Sequence, residues 1–313
     1  MTQISPTVSV VLPAFNAAAT IAEAIRSVLA QSFDDFELLV CDDFSQDETV
    51  SQVREFSDTR IRLIRNESNS GPGESRDRAI AIARGPWIAF LDADDAWAPD
   101  RLERLLAFAS RQNVGMIFDD LLLCQQKAGR IVPWKPARLF PAKSGEPTEI
   151  SLSKYLSGKT LLIKPLVSRS AITNLGLRHS ARKYGEDAEF FIRLMQAGVS
   201  AWYVNIPLYH YRLTPGSLST QVSRSERMTE MLYALNGELN FAAEVQGALK
   251  LKLARLKRKA DYDRFLSELS RTGLRAAPGR LLQEPRLAVE FARRLPHAAM
   301  SRMRSWLHGS TGR

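Results

Sequence analysis

Asp92, Asp94 and Asp95 fall within four positions of one another in the run Trp87-Ile-Ala-Phe-Leu-Asp-Ala-Asp-Asp-Ala-Trp-Ala-Pro99. Like charges this close repel, and a divalent cation would relieve the repulsion; hard oxygen ligands suit Mg²⁺ or Mn²⁺. The competing reading is local, because Asp94 or Asp95 could instead cap a helix that begins near Pro99. Trp87 to Leu91 is apolar throughout and suits a strand buried on both faces, so the carboxylates stand at its carboxyl end. An open α/β sheet places its ligands there.

The chain before this run alternates strands with helices. Val8 to Leu12 reads as a strand ending in Pro13, and Ile21, Ile25, Val28 and Leu29 recur at helical spacing after an Asn16 cap. Glu37 to Cys41 is a second strand running into Asp42-Asp43, after which Ser45, with Asp47 and Glu48, starts a helix through Phe56. Ile61 to Ile64 is a third strand. It leads into the polar loop Asn66 to Gly73, where Gly71 and Gly73 permit unusual backbone angles or close approach to a ligand. A helix over 74–83, closed by Gly85, completes the pattern of a doubly wound α/β sheet. There is no Gly-x-Gly-x-x-Gly after the first strand and no Gly-x-x-x-x-Gly-Lys-Ser/Thr loop, which disfavours dinucleotide dehydrogenases and P-loop NTPases. Some other device must hold phosphates.

At 313 residues the chain can hold one large α/β domain, or one domain of about 220 residues with an appendage, and its 45% hydrophobic content is that of a soluble globular protein. No apolar run reaches the roughly 18 residues a membrane span needs, and the N-terminus lacks a basic segment followed by an apolar one. The expectation is a protein neither secreted nor integral to a membrane. Cys41 and Cys124 are the only cysteines, which fits a reducing cytoplasm. Charge is divided unevenly: from Lys250 onward there are 16 Lys and Arg against 5 Asp and Glu, a formal +11, whereas residues 1–249 carry 27 against 29, a formal −2.

Taken together, V-S-V-V-L-P-A-F-N at Val8 to Asn16, F-E-L-L-V-C-D-D-F-S-Q-D-E-T, N-S-G-P-G-E-S-R and W-I-A-F-L-D-A-D-D-A-W-A-P-D-R-L-E resemble the nucleotide-sugar-binding half of a family 2 glycosyltransferase. Gly185-Glu186-Asp187-Ala188-Glu189-Phe190-Phe191 resembles its acidic acceptor-side motif, and His210-Tyr211-Arg212 with Ser217 and Ser219 its closing loop. The resemblance implies a GT-A fold, a doubly wound mixed sheet with a C-terminal helical extension. It divides the chain into a catalytic domain over 1–220, with a nucleotide-sugar half at 5–110 and an acceptor half at 111–220, and an extension over 221–313.

It also implies roles. Pro13, Ala14, Phe15 and Asp43 would contact nucleobase and ribose, with Asp42 either helping or bonding backbone groups, and Gly71 and Arg76 would lie near the nucleotide. Asp92 and Asp94 would hold the ribose and the diphosphate-bound metal, with Asp95 a third member. Asp187 matches the general base, with Glu186 the runner-up; either could instead cap the helix carrying Phe190, Phe191, Leu194 and Met195. His210 could complete the metal shell or be an ordinary strand histidine, and Arg212 could neutralise the diphosphate. Thr214-Pro215-Gly216-Ser217 reads as a mobile turn able to cover a bound donor.

Other residues leave two readings open. Asp119-Asp120, after a strand Val114 to Phe118, could touch an acceptor or be a solvated strand end. Trp134, in the Pro-rich stretch 133–147 that breaks the rhythm, could stack on a sugar or anchor a loop. Beyond Gln221 the chain reads as helices. Leu249, Leu253 and Leu256, then Leu287, Phe291 and Leu295, then Met300, Met303 and Leu307, recur among Lys and Arg with Trp306 nearby. Such basic amphipathic helices could lie on an anionic membrane or pack on the catalytic domain. With few interleaved aromatics and no recognised module, nucleic acid is a weaker partner.

The expectation is a cytoplasmic enzyme, peripheral on the inner face of the cytoplasmic membrane. It would be an inverting hexosyltransferase adding one sugar from a UDP-linked donor to a polyprenyl-linked oligosaccharide in bacterial exopolysaccharide or surface-glycan assembly. A sugar-nucleotide nucleotidyltransferase would share the core and metal but carry a Gly-rich basic loop where this chain has Pro-Ala-Phe-Asn. A noncatalytic membrane-binding scaffold would need no carboxylate set.

Overall fold

The computed structural model describes residues 5–110, 114–127, 130–143, 145–182, 184–213 and 224–272. The first half alternates as expected: β1 (Val8–Ala14), α1 (Ile21–Leu29), β2 (Phe36–Asp42), α2 (Thr49–Arg54), β3 (Ile61–Arg65), α3 (Pro72–Ala81) and β4 (Trp87–Phe90). Every residue of β1 and β2 is buried, which is why both read as unbroken apolar runs. Ile21, Ala24, Ile25 and Val28 form the buried stripe of α1, and each of its larger side chains contributes roughly 1.5–3 kcal/mol by leaving water.

Neither expected cap is one. Asn16 adopts φ 48° and its N–H donates to Ser45 Oγ, while its own Oδ1 accepts from Gln46 N. The two polar residues bind the ends of adjacent strands to each other, a tertiary pairing that outcompetes the local cap. Helix α1 consequently starts after Thr20 and α2 after Glu48.

The second half contains β5 (Ala96–Trp97), α4 (Arg101–Ala109), β6 (Met116–Lys127), β7 (Arg130–Pro136), β8 (Pro147–Glu149), α5 (Leu152–Ser157), β9 (Leu166–Ser168), α6 (Arg169–Asn174), α7 (Glu186–Gln196) and β10 (Ala201–Leu213). Among the described residues one sheet runs β3-β2-β1-β4-β9-β6-β10-β5, with β7 on β6 and β8 on β10. Its first four strands are parallel, β9 is antiparallel to both β4 and β6, and β6 and β10 are again parallel. The sheet is therefore mixed. Part of the Pro-rich stretch is strand rather than loop: Pro133 and Pro136 sit in β7, an outer strand where missing N–H donors are tolerated.

Two helices follow, α8 (Arg224–Glu238) and α9 (Ala243–Thr272). In α9 the apolar residues Leu249, Leu253 and Leu256 pack into the core, and Lys252 Nζ and Arg255 Nη1 donate to the carbonyls of Gly158 and Ser157 at the end of α5. For this helix the packing alternative holds, while Lys250, Arg255, Lys257, Arg258 and Lys259 face solvent. Residues 287–307 of the remaining amphipathic pattern lie outside the described residues, as does the turn 214–217 with Ser217 and Ser219. No helix among the described residues is long and apolar enough to cross a membrane.

Candidate active site

Strand β4 ends at Phe90, and the chain turns at once, with Asp95 N–H donating to the Asp92 carbonyl. This turn gathers one carboxylate oxygen each from Asp92, Asp94 and Asp95 within 4.8 Å of one another. Neither Asp94 nor Asp95 caps α4, whose N-cap position is Asp100. Asp95 is fixed from β10: Tyr209 Oη donates to its Oδ2 at 2.8 Å and Arg212 N–H to its Oδ1 at 2.8 Å. Asp92 is fixed by two cations, with Arg76 Nη2 at 2.9 Å from Oδ1 and Lys164 Nζ at 2.5 Å from Oδ2. Among the described residues no other residue bonds the Asp94 carboxylate, so it is the open ligand of the three. A hard divalent cation fits this oxygen set.

Glu186 and Asp187 open α7 after Gly185, whose φ of +83° is one that glycine adopts without strain. Asp187 Oδ1 accepts from the N3 amide of Ala188 at 2.7 Å, so one of its oxygens serves the helix end while the other faces the site. Glu186 Oε1 instead pairs with Arg76 Nη1 at 2.7 Å, and Asp187 Oδ2 lies 3.4 Å from Lys164 Nζ. Arg76 and Lys164 thus join the turn after β4 to the first turn of α7.

The nucleotide side lies at the ends of β1 and β2. Pro13 and Ala14 are buried within β1, and Phe15 is the first side chain to open to solvent, 49% exposed. Phe44 is also exposed. Asp43 accepts from Asn66 Nδ2, Ser70 N and Gly71 N, each at 2.7–2.8 Å, which ties the polar loop to β2. Gly71 has φ +87°, a backbone conformation that would strain any side chain. Asp42 is buried and accepts from Ser45 N, with Arg65 Nε 3.5 Å away. Arg212, 7% exposed, pairs with Glu23 through Nη2, while its buried Nε has no partner among the described residues. That donor is available to an anion.

Burial raises the Asp94 and Asp95 carboxyls above the usual range, and the neighbouring carboxylates add to this. At Asp92 burial acts in the same direction, but Lys164 and Arg76 outweigh it and hold the group ionised. Burial opposes the charge on Lys164 too, yet Asp92 and Asp187 keep it protonated.

His210 of β10 pairs with Ala96 of β5 and, by strand alternation, points to the opposite face from Tyr209; the three-carboxylate cluster does not include it. Burial lowers its pKa. Asp119 and Asp120 are neither at a solvated strand end nor open to a ligand, because β6 continues through them. Asp119 receives Arg101 at 2.8 Å, and Asp120 accepts from the N–H groups of Arg138 and Leu139. Trp134 is 51% exposed, with Lys135 Nζ 3.9 Å from its ring. Burial pushes the thiols of Cys41 and Cys124 up to about 11.

Sequence reasoning missed Lys164 and Tyr209. Lys164 interrupts the apolar run Leu161-Leu162-Ile163-Lys164-Pro165-Leu166-Val167, and a lysine in such a run must be paired when buried. That was its available signal. Tyr209 carried none, being one more aromatic in a strand.

Comparison with known proteins supplies an independent line. The sequence model of Glycosyl transferase family 2 matches residues 9–162. Succinoglycan biosynthesis protein ExoO of Rhizobium meliloti (strain 1021) is 31% identical over 305 residues, covering 94% of this chain and 84% of that protein. The Escherichia coli UDP-Glc:alpha-D-GlcNAc-diphosphoundecaprenol beta-1,3-glucosyltransferase WfgD is 43% identical over 111 residues, 36% of this chain and 44% of that protein. Among solved structures, S. aureus TarS 1-349 in complex with UDP-GlcNAc superposes with a TM-score of 0.62 at 21% identity, covering 90% of this chain and 78% of that one. Mannosyltransferase PcManGT from Pyrobaculum calidifontis, in complex with GDP-Man and Mn2+, gives a TM-score of 0.62 at 17% identity, covering 99% and 87%. At these identities the structural likeness shows the GT-A fold.

Proposed function

The chain belongs to glycosyl transferase family 2, and on that premise we propose that it is a metal-dependent, inverting hexosyltransferase acting in bacterial exopolysaccharide or surface-glycan assembly. The donor is a UDP-sugar such as UDP-glucose, and the acceptor a polyprenyl-linked oligosaccharide. The similarity to ExoO over most of both chains, and the diphosphoundecaprenol acceptor that forms part of WfgD's full name, support this class of product and acceptor. The observation that carries the reading is the clustering of Asp92, Asp94 and Asp95 at the carboxyl edge of the sheet, with Asp92 joined to Glu186 and Asp187 by Arg76 and Lys164.

In this reading Phe15 and Asp43 seat the nucleoside, and Arg212 donates to the diphosphate through its unpaired Nε. Asp94, with Asp92 or Asp95, would hold Mg²⁺ or Mn²⁺, and the ion would supply Lewis-acid stabilisation of the charge on the leaving diphosphate. Asp187 takes the proton from the acceptor hydroxyl as it attacks the anomeric carbon. A single displacement with the base opposite the leaving group inverts that carbon, so an α-linked donor gives a β-linked product.

The test is a panel of nucleotide sugars with Mn²⁺, following release of nucleoside diphosphate. One donor is expected to be hydrolysed slowly without acceptor, with the activity lost on adding EDTA and in Asp94→Ala. Asp187→Asn is expected to lower turnover about 10²–10⁴-fold. No turnover and no binding of any donor would replace this reading with a noncatalytic scaffold.

A further inference from the structure

Asp92 is the root of two parallel ionic bridges to one helical turn. One runs Asp92–Arg76–Glu186, with contacts of 2.9 and 2.7 Å, and the other runs Asp92–Lys164–Asp187, with contacts of 2.5 and 3.4 Å. Lys164 is 3% exposed, and its backbone is pinned as well, because Arg101 Nη2 donates to its carbonyl at 2.5 Å. Arg101 is in turn fully buried, bonded to Asp119 and stacked over Trp97 and Tyr209. The ammonium is therefore held in place from behind.

We propose that Lys164 is a positioning residue for the general base, acting through its bridge between the donor-side carboxylate Asp92 and Asp187. The assignment rests on the transferase reading above and goes beyond it in giving this lysine a task. The two bridges are not equivalent. Without Lys164, Asp92 keeps Arg76, and Glu186 keeps the same arginine, so the donor side retains a cation and its geometry. Asp187 has no such reserve: among the described residues, besides Lys164 it is bonded only to the amide of Ala188, next to it in the same helix. Removing the ammonium frees the carboxylate to rotate away from the acceptor hydroxyl and leaves it near Glu186 with less compensating charge. A base displaced by an ångström loses much of its effect.

The alternative role for a buried lysine here is to bind the leaving diphosphate directly, and the two roles separate in the kinetics. Wild type, Lys164→Met, Lys164→Arg, Asp187→Asn and the double variant Lys164→Met/Asp187→Asn would be compared. Binding is read by calorimetry with UDP plus Mn²⁺ and GDP plus Mn²⁺. Turnover is read as nucleoside diphosphate release from whichever of UDP-glucose, UDP-N-acetylglucosamine and GDP-mannose the wild type hydrolyses.

For Lys164→Met we expect nucleotide affinity within about threefold of wild type and kcat lower by about 100-fold. Lys164→Arg should recover part of the loss, and the double variant should be no slower than Asp187→Asn alone. Unchanged turnover, losses that multiply in the double variant, or nucleotide affinity weakened about tenfold or more with kcat retained would each overturn the assignment, the last in favour of a diphosphate ligand. If the methionine variant does not fold, Lys164→Gln is read by the same criteria. Absence of nucleotide binding and turnover in the wild type would instead overturn the transferase reading itself.

Discussion

Glu37 is 1% exposed on β2, yet its carboxylate accepts from Ser9 Oγ, Arg84 N and the guanidinium groups of Arg62 and Arg84. Burial pushes this carboxyl up, but the Arg84 amide, Ser9 and the two arginines together outweigh it, and the net shift is downward. A depressed folded pKa contributes stability that is fully present above the ordinary carboxylate range and is lost as pH falls through the folded value. Glu37→Gln is therefore expected to cost about 2 kcal/mol at pH 7, with the gap to wild type closing in acid, as read by urea denaturation across pH. A gap constant with pH would mean that packing, not charge, holds Glu37. The same residue shows how a polar group becomes legible only in context: in the sequence it is merely the first polar position of an apolar strand.

At the level of elements, the contact between α4 and β6 rests on a buried ion pair. Arg101 is fully buried, 2.8 Å from Asp119, and reaches across to the carbonyl of Lys164. Burial is the largest influence on Asp119 and raises its carboxyl even with the arginine beside it, so the pair is held against a substantial desolvation cost. Arg101→Met alone, which leaves Asp119 buried and unpaired, is expected to destabilise the protein by about 3–5 kcal/mol, whereas Arg101→Met/Asp119→Leu should lose distinctly less. Denaturant midpoints of the three proteins decide it. A double variant as unstable as the single would mean that the lost bond to Lys164, rather than the stranded carboxylate, dominates. A helix beginning near Pro99 and a strand ending at Phe118 were expected from the sequence, but β6 runs on to Lys127 and the ion pair was not legible, because its members are 18 positions apart.

For the whole molecule, the sheet and the charge distribution point to different surfaces. The sheet ends in the acidic cluster, and the positive charge lies at the other end of the sequence, with α9 using its apolar stripe against the hydrophobic core beside α5 and leaving Lys250, Arg255, Lys257, Arg258 and Lys259 exposed. A basic face of this kind suits an anionic bilayer, each residue near the surface adding about 1 kcal/mol. The wild-type protein is expected to sediment with anionic vesicles and to be released by salt, and a Lys250→Gln/Lys257→Gln/Arg258→Gln/Lys259→Gln variant to bind markedly less. Equal sedimentation of the two, or none by the wild type, would overturn a membrane role for this face.

The strand and helix alternation, the buried runs of β1, β2 and β4 and the position of Asp92, Asp94 and Asp95 at a strand end were all written in local pattern, since burial on two faces selects continuous apolar runs and the carboxylates follow directly. The family resemblance extended that reading to Asp187 and Glu186. What local pattern could not contain was which groups meet across the sheet. Asn16 and Ser45 bond each other instead of capping helices, Tyr209 and the Arg212 amide hold Asp95, and Lys164 and Arg76 tie Asp92 to α7. These contacts span 16 to 117 positions of sequence. They are selected by the desolvation of charges that must find partners once the core closes, and that selection exists only in three dimensions.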